Sequence, residues 1–180
     1  FYAAALDRRI EATLVSGYFD SRQRLWEEPI YRNVFGLLRE FGDAEIASLI
    51  APRALIVEYS AGPKVQGPPA PREGRTGAAP GKLQTPGYES VEAEFERART
   101  LLKPGSPNAF ARLKLITGTG GMTTGPGSDR ALTAFLGALG VSGAQLKQPG
   151  KAPAELRPAF DLGARQQRQI KELEDHTQKL

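Results

Sequence analysis

Apolar and polar positions follow two different periods along the first 140 residues. Three short apolar runs, at residues 10–16, 53–59 and 110–117, have the length and composition of β-strands. The middle run places four apolar residues in succession at 54–57, which is typical of a strand buried on both faces of a parallel sheet. Helical spacing of apolar residues marks the segments between and around these runs, at residues 1–6, 31–41, 44–50, 88–103 and 128–139.

Two helix starts follow from local sequence. Gly42 ends the 31–41 helix, and Asp43 is expected to be the N-cap of the next one. Ser128 is expected to cap the helix that runs to Leu139. The inward faces of the helices at 31–41 and 128–139 are predicted to consist of Val34, Leu37, Leu38 and Phe41, and of Leu132, Phe135, Leu136 and Leu139.

Glycine and proline divide the chain. Residues 62–87 hold six Pro and six Gly among 26 residues, which predicts a long, irregular and exposed loop. A second glycine-rich loop spans residues 118–127, and it lacks the Lys-Ser/Thr pair of a phosphate-binding loop. Residues 141–160 have the composition of a linker. Residues 161–180 predict a charged helix with a thin apolar stripe, suited to packing on another unit.

Strands that alternate with helices predict an α/β fold, a parallel sheet with flanking helices. The strands at 10–16, 53–59 and 111–117 should then be parallel neighbours in one sheet. The predicted organisation is a domain over residues 1–140, a linker over 141–160 and the start of a helical segment over 161–180.

Composition excludes several classes of function. The net charge of +4 comes from scattered basic residues with no aromatic-flanked basic stripe, so nucleic-acid binding is not expected. No cysteine is present, which leaves the cellular compartment open, and no run approaches the roughly 20 apolar residues of a membrane span. No motif for a metal or cofactor occurs. The single methionine is Met122, and we interpret the chain as an internal fragment that packs on further parts of a longer chain.

Three stretches resemble the α/β-hydrolase superfamily, in particular its dienelactone-hydrolase and acetyl-xylan-esterase-like branch. Residues 2–10, YAAALDRRI, resemble the helix after the nucleophile turn. Residues 31–40, YRNVFGLLRE, with LIAPR at 49–53, resemble a segment typical of that branch, and residues 110–139 resemble the last strand, its loop and the closing helix. The resemblance implies a partial α/β-hydrolase fold and the C-terminal half of such a domain.

The resemblance also implies a catalytic serine upstream of residue 1, followed by an acid and a histidine within the chain. The family's acid would fall in the turn that begins at Gly62, where no carboxylate stands. Its histidine would fall in the loop that contains Met122 and Thr123, where no histidine stands. Without an imidazole, neither deprotonation of a serine nor protonation of a leaving group has an obvious agent.

Two other carboxylates are candidates for a displaced acid. Glu58 ends the buried strand, where the simpler interpretation is a solvated or Arg-paired carboxylate. Asp20 follows the exit of the preceding strand, where it is more simply a turn residue bonded to its own backbone. The only histidine, His176, lies in the charged C-terminal helix and is interpreted as solvated. Trp26 and Tyr31 are interpreted as core aromatics rather than pocket walls.

Two hypotheses of function result. One is a serine ester hydrolase that acts on a small ester or carbohydrate ester through residues outside this sequence. The other is a catalytically inactive hydrolase-like domain that serves as a structural or binding module of a larger protein. An unrelated nucleotide-binding domain is a weaker third hypothesis, because it lacks a phosphate motif. No cofactor and no metal are expected in either of the first two.

Overall fold

The computed structural model describes residues 1–68, 70–74, 80–102, 111–141, 146, 150–152, 154 and 161–179. Contacts divide the chain into two compact units, Phe1–Leu146 and Lys147–Leu180. Helices of the first unit are α1 (Tyr2–Leu6), α2 (Leu37–Glu40), α3 (Asp43–Ile50), α4 (Tyr88–Leu102) and α5 (Asp129–Ala138), and its strands are β1 (Ala12–Ser16), β2 (Ala54–Glu58) and β3 (Leu113–Ile116). Helix α6 (Leu162–Thr177) belongs to the second unit.

The three strands form one parallel sheet in the order β1-β2-β3. This confirms the prediction of three parallel neighbours, and it is the sheet-and-helix arrangement expected of an α/β fold. In the register of the first pair, Ser16 lies opposite Glu58, and Glu58 in turn lies opposite Ile116 of β3. The C-terminal ends of all three strands therefore meet at one edge of the sheet.

The central strand β2 is buried along its whole length, as its apolar run predicted. Because side chains alternate along a strand, Leu55 and Val57 lie on one face, in a core with α1, α3 and α4. Ala54 and Ile56 lie on the other face, against α5. Burial of each aliphatic side chain contributes about 1.5–3 kcal/mol, so this strand anchors both layers.

Helix α4 begins at Tyr88, within the predicted helical segment 88–103, and its buried apolar residues are Val91, Phe95, Ala98 and Leu102. Ser128 is the N-cap of α5, and its side chain accepts from the main-chain N–H of Ala131, as predicted. The prediction for the inward face of α5 was wrong in part, since Leu139 is largely exposed and Leu132 is only half-buried. The residues of α5 that face the sheet are the buried Ala131 and the partly buried Ala134, Phe135 and Ala138, which pack on the core.

The predicted helix at 31–41 does not form as one element. A 3-10 turn occupies Ile30–Arg32, and the four-residue α2 follows only after Gly36. Gly36 has φ = 76°, a left-handed conformation that breaks the helical path. The expected inward face is consequently lost, and Val34, Leu38 and Phe41 are exposed.

The cap assignment at the next helix was displaced by one residue. Gly42 is the N-cap of α3, and Asp43 is its first helical residue. The main-chain N–H of Gly42 donates to Glu45 Oε2 over 2.8 Å, so Glu45 satisfies the helix start instead. Asp43 is thereby free to point into the protein, where it is completely buried.

The long loop is irregular and mostly exposed over the described residues 62–68, 70–74 and 80–87, which confirms that prediction for this part of the chain. Val65 and Leu83 form an isolated antiparallel bridge, and Leu83 is buried.

Most of the predicted linker at 141–160 lies outside the described residues. In the second unit, α6 is capped by the Asp161 side chain and is exposed along its whole length. Within the described chain, no helix is both long and apolar enough to cross a membrane.

Two glycine substitutions test the interrupted helix. Gly36→Ala should lower the free energy of unfolding by about 1 kcal/mol, because alanine is strained at a left-handed φ even where space is open. Gly137→Ala is the matched control, since Gly137 lies inside α5 and a Cβ there also meets open space. Alanine at position 137 should raise the free energy of unfolding by up to about 1 kcal/mol.

Urea denaturation of the two variants beside the parent protein measures both shifts. A Gly36→Ala protein as stable as the parent would contradict the left-handed turn and favour the continuous 31–41 helix.

Candidate functional site

Two loops meet at the C-terminal edge of the sheet, where a parallel α/β fold places its sites. The main-chain N–H of Thr124 donates to Tyr59 O over 2.9 Å, and the N–H of Ala61 donates to Thr124 O over 3.2 Å. Ser60 and Thr124 thereby form an isolated parallel bridge that extends the pairing of β2 and β3. The loop that leads from β2 to Gly62 therefore converges with the loop that contains Met122. This is the arrangement expected where neighbouring parallel strands end at the same edge of a sheet.

Glu58 lies at the centre of this edge and is only 1% exposed. Its carboxylate accepts from the Ser16 hydroxyl of β1. It also accepts two main-chain N–H groups ahead of α5, with Gly127 N–H on Oε2 and Ser128 N–H on Oε1, each over 2.8 Å. Glu58 is buried, and no arginine among the described residues pairs with it, so the simpler interpretation of a solvated or Arg-paired carboxylate was wrong.

The electrostatics of Glu58 reflect two opposing effects. Burial disfavours the charged carboxylate and raises its pKa, whereas hydrogen bonds from Ser128, Ser16 and Gly127 stabilise the charge. The hydrogen bonds prevail, and the pKa of Glu58 lies below its ordinary value. Glu58 is therefore held as an anion whose acceptor positions face protein donors.

Asp20, the second candidate acid, is half-buried beyond the end of β1. Its Oδ1 accepts from the Ser90 hydroxyl in the first turn of α4, and its own main-chain N–H donates to Asp43 Oδ2 over 3.1 Å. It is not bonded to its own backbone as a simple turn residue would be. Asp20 and Ser90 line a cavity of about 230 Å³ whose walls include the ion-paired Glu27 and Lys82.

The start of α3 gathers further charged side chains behind this cavity. Arg22 Nε donates to Asp43 Oδ2 over 3.0 Å, and both side chains are buried. The guanidinium of Arg22 also lies 3.8 Å from the centre of the Tyr18 ring and pairs with Glu28 over 3.3 Å. Nothing in the local sequence marks these residues as partners, because they come together only through the turn after β1 and the entry to α3.

The aromatic residues of the 26–41 segment lie at the surface, and the expectation of a core position was wrong. Trp26 is 68% exposed and Tyr31 is 78% exposed. Tyr31 forms one wall of an open groove of about 480 Å³, together with the aromatic side chains of α1 and the turn after β1. The residues that line this groove are Phe1, Tyr2, Leu14, Val15, Tyr18, Tyr31, Arg32 and Val34.

The remaining predicted site residues do not assemble a triad. Met122 and Thr123 are exposed in the converging loop, and Gly62 donates its N–H to Thr85 Oγ1 over 3.0 Å. His176 is an exposed residue of α6 in the second unit. In the part of the chain that the structure describes, no three His, Cys, Asp or Glu side chains are placed to hold a metal ion.

Comparison of the chain with protein-family models, with curated proteins and with solved structures finds no match. The geometry of the sheet edge is therefore the basis on which a function is inferred, and the resemblance to α/β-hydrolases stays a prediction.

The structural role of Glu58 generates a stability prediction. Glu58→Gln should lower the free energy of unfolding by about 2 kcal/mol, because an amide nitrogen faces a main-chain N–H that it cannot accept from. Glu40→Gln is the control, since Glu40 is an exposed glutamate in α2. It should leave the free energy of unfolding within about 0.5 kcal/mol of the parent value.

The same carboxylate sets a pH dependence that chemical denaturation at several pH values would measure. Because the folded-state pKa is depressed, the stabilisation by Glu58 is complete above its ordinary value of 4.5 and is lost as the pH falls below it. The stability difference between the parent and Glu58→Gln should shrink over that acidic range. A constant difference would contradict a charged Glu58.

Proposed function

We propose that the first unit of this protein is a hydrolase-like module that does not hydrolyse esters and serves as a structural or binding module. The observation that carries the proposal is the state of Glu58. Glu58, the candidate acid at the end of β2, is buried, and its two oxygens accept from three protein donors. A catalytic acid must instead accept an N–H from a histidine that also reaches the nucleophile.

The other residues expected in a hydrolase site also support the absence of esterase activity. Asp20 is engaged with the Ser90 hydroxyl, and the turn at Gly62 carries no carboxylate. The single imidazole of the sequence is that of His176, in the second unit. A serine nucleophile upstream of residue 1 would therefore lack a base from the unit whose fold should supply one.

A binding role is favoured by the surface of the 26–41 segment. Large apolar side chains exposed within a short stretch are unusual on a protein that acts alone, and they are typical of interaction surfaces. Phe35 is fully exposed at the turn before α2. The exposed apolar residues of this segment are Trp26, Ile30, Tyr31, Val34, Phe35, Leu38 and Phe41.

The proposal predicts little or no esterase activity. The natural protein, including any residues that precede Phe1, should hydrolyse p-nitrophenyl acetate weakly or not at all. Any residual rate would come from substrate binding and oxyanion stabilisation, which persist without a triad. Stopped-flow or plate-reader measurement of p-nitrophenolate release checks this outcome.

Three variants distinguish residual ester hydrolysis from hydrolysis that depends on a catalytic acid. Glu58→Gln, Asp20→Asn and the surface control Glu40→Gln should all match the parent rate per folded molecule. A fast rate that is lost in Glu58→Gln or Asp20→Asn, and kept in Glu40→Gln, would overturn the proposal and identify the displaced acid. Far-ultraviolet circular dichroism of each variant confirms that a lost rate is not a lost fold.

A further inference from the structure

The N-terminus of α3 contains a buried ion pair that the proposed function does not use. Asp43 is fully buried, and Arg22 is 6% exposed. The Oδ2 atom of Asp43 accepts from Arg22 Nε over 3.0 Å and from the Asp20 main-chain N–H over 3.1 Å. A single oxygen of the carboxylate therefore takes both donors.

The second oxygen of this carboxylate lacks such donors. Asp43 Oδ1 is buried and has no hydrogen-bond partner among the described residues, and the same holds for Arg22 Nη2. A buried charge with unused acceptor capacity is costly, since water would otherwise solvate it. A proton bound at Oδ1 would reduce this cost and leave both donors in place on Oδ2.

Helix α4 adds negative charge to the surroundings of Asp43. Glu94 is buried, and its Oε1 accepts from the main-chain N–H of Ala44 over 2.8 Å. Arg97 binds both Glu94 and Glu45, so its charge is shared between two carboxylates. Asp43 consequently depends on Arg22 for its countercharge.

Among the described residues, the other packed elements supply no second cation to Asp43. Helix α1 contributes Tyr2, whose hydroxyl bonds to that of Tyr18, and burial holds the pKa of Tyr2 well above its ordinary value. Tyr2 is therefore uncharged. The segment after β1 contributes Glu28, which competes for Arg22, while Arg32 pairs with Glu28 over 3.1 Å.

We propose that Asp43 is a proton-binding switch that controls how firmly residues 17–28 are held on the N-terminus of α3. In mildly acidic solution its carboxyl takes up a proton, and the buried Arg22 keeps, among the described residues, only the Glu28 carboxylate as a countercharge. The switch does not depend on whether the module binds a partner or hydrolyses an ester.

Arg22 is the element through which the switch acts. It has a left-handed backbone, with φ = 59°, which is strained for a residue with a side chain. Its guanidinium is held by Asp43, by Glu28 and by the Tyr18 ring. Protonation of Asp43 at Oδ1 weakens the most buried of these contacts, because the hydrogen bond to Oδ2 stays but the attraction between opposite charges is lost. Residues 17–28 also contribute Tyr18 to the aromatic groove and Asp20 to the polar cavity.

The pH window follows from the burial of Asp43. Burial raises the pKa of Asp43 from its ordinary 3.8 to about 6, against the opposing attraction of Arg22. Because the folded-state pKa is the higher one, the folded protein takes up the proton before the unfolded chain does. Global stability from this group therefore rises as the pH falls from about 6 to 3.8, while Arg22 is held less firmly.

Carboxyl carbon NMR and tryptophan fluorescence test the two parts of the switch. In the parent protein, the ¹³C shift of the Asp43 carboxyl should titrate with a midpoint near pH 6. Trp26, the only tryptophan, lies in residues 17–28, and its fluorescence should change with the same midpoint. The change should vanish in Asp43→Asn, which resembles the protonated form.

His176→Gln is the matched control, because it removes the only imidazole of the sequence and leaves Asp43 unchanged. The fluorescence change should persist in it unaltered. A midpoint of the Asp43 carboxyl near 4 in the parent protein would overturn the proposal, and this measurement needs no variant to fold. Titration of Asp43 near 6 with unchanged fluorescence, or a fluorescence change lost only in His176→Gln, would overturn the control over residues 17–28.

Discussion

Three segments of the chain meet at the Glu58 carboxylate, which accepts hydrogen bonds from the two segments other than its own. Ser16 comes from the end of β1, Glu58 itself from the end of β2, and Gly127 and Ser128 from the loop that leads into α5. A buried carboxylate is unfavourable unless its charge is stabilised, so all these donors must be present together. This one interaction fixes the C-terminal edge of the sheet and the start of α5 relative to it.

The consequence for function is that Glu58, the buried carboxylate at the edge of the sheet, stabilises the fold. In an active α/β-hydrolase, the family predicted from the sequence, that edge would hold an acid and an imidazole in mutual contact. Here the loops converge, but the residues at the expected positions are Gly62, Met122 and Thr123. The carboxylates of Asp20 and Glu58 accept from hydroxyl and main-chain donors instead. These contacts support the proposal of a structural or binding module.

The sheet was predictable because the short apolar runs at residues 10–16, 53–59 and 110–117 can be recognised from local sequence alone. Residues 54–57 could be assigned to a buried central strand without knowledge of any neighbour. The prediction of a helix at 31–41 was wrong because the segment contains Gly36. The spacing of apolar residues does not reveal whether a glycine takes a left-handed conformation. The apolar residues of that segment are therefore exposed where the pattern predicted a buried face.

The partners within the candidate site were beyond prediction for a different reason. Ser16 and Glu58 are 42 residues apart, and Arg22 and Asp43 are 21 apart. Strand register brings the first pair together, and the path of the turn after β1 brings the second. Glu58 could be found as a strand-end carboxylate, but the donors that determine its role appear only once the strands are aligned.

Hydrogen exchange at the Gly127 and Ser128 amides tests the central role of Glu58 most directly. If both amides donate to the buried carboxylate, they should exchange far more slowly than an exposed loop, and Glu58→Gln should abolish protection at one or both. Exchange at the rate of an exposed loop in the parent protein would contradict the account, since Glu58 would then be available for other chemistry.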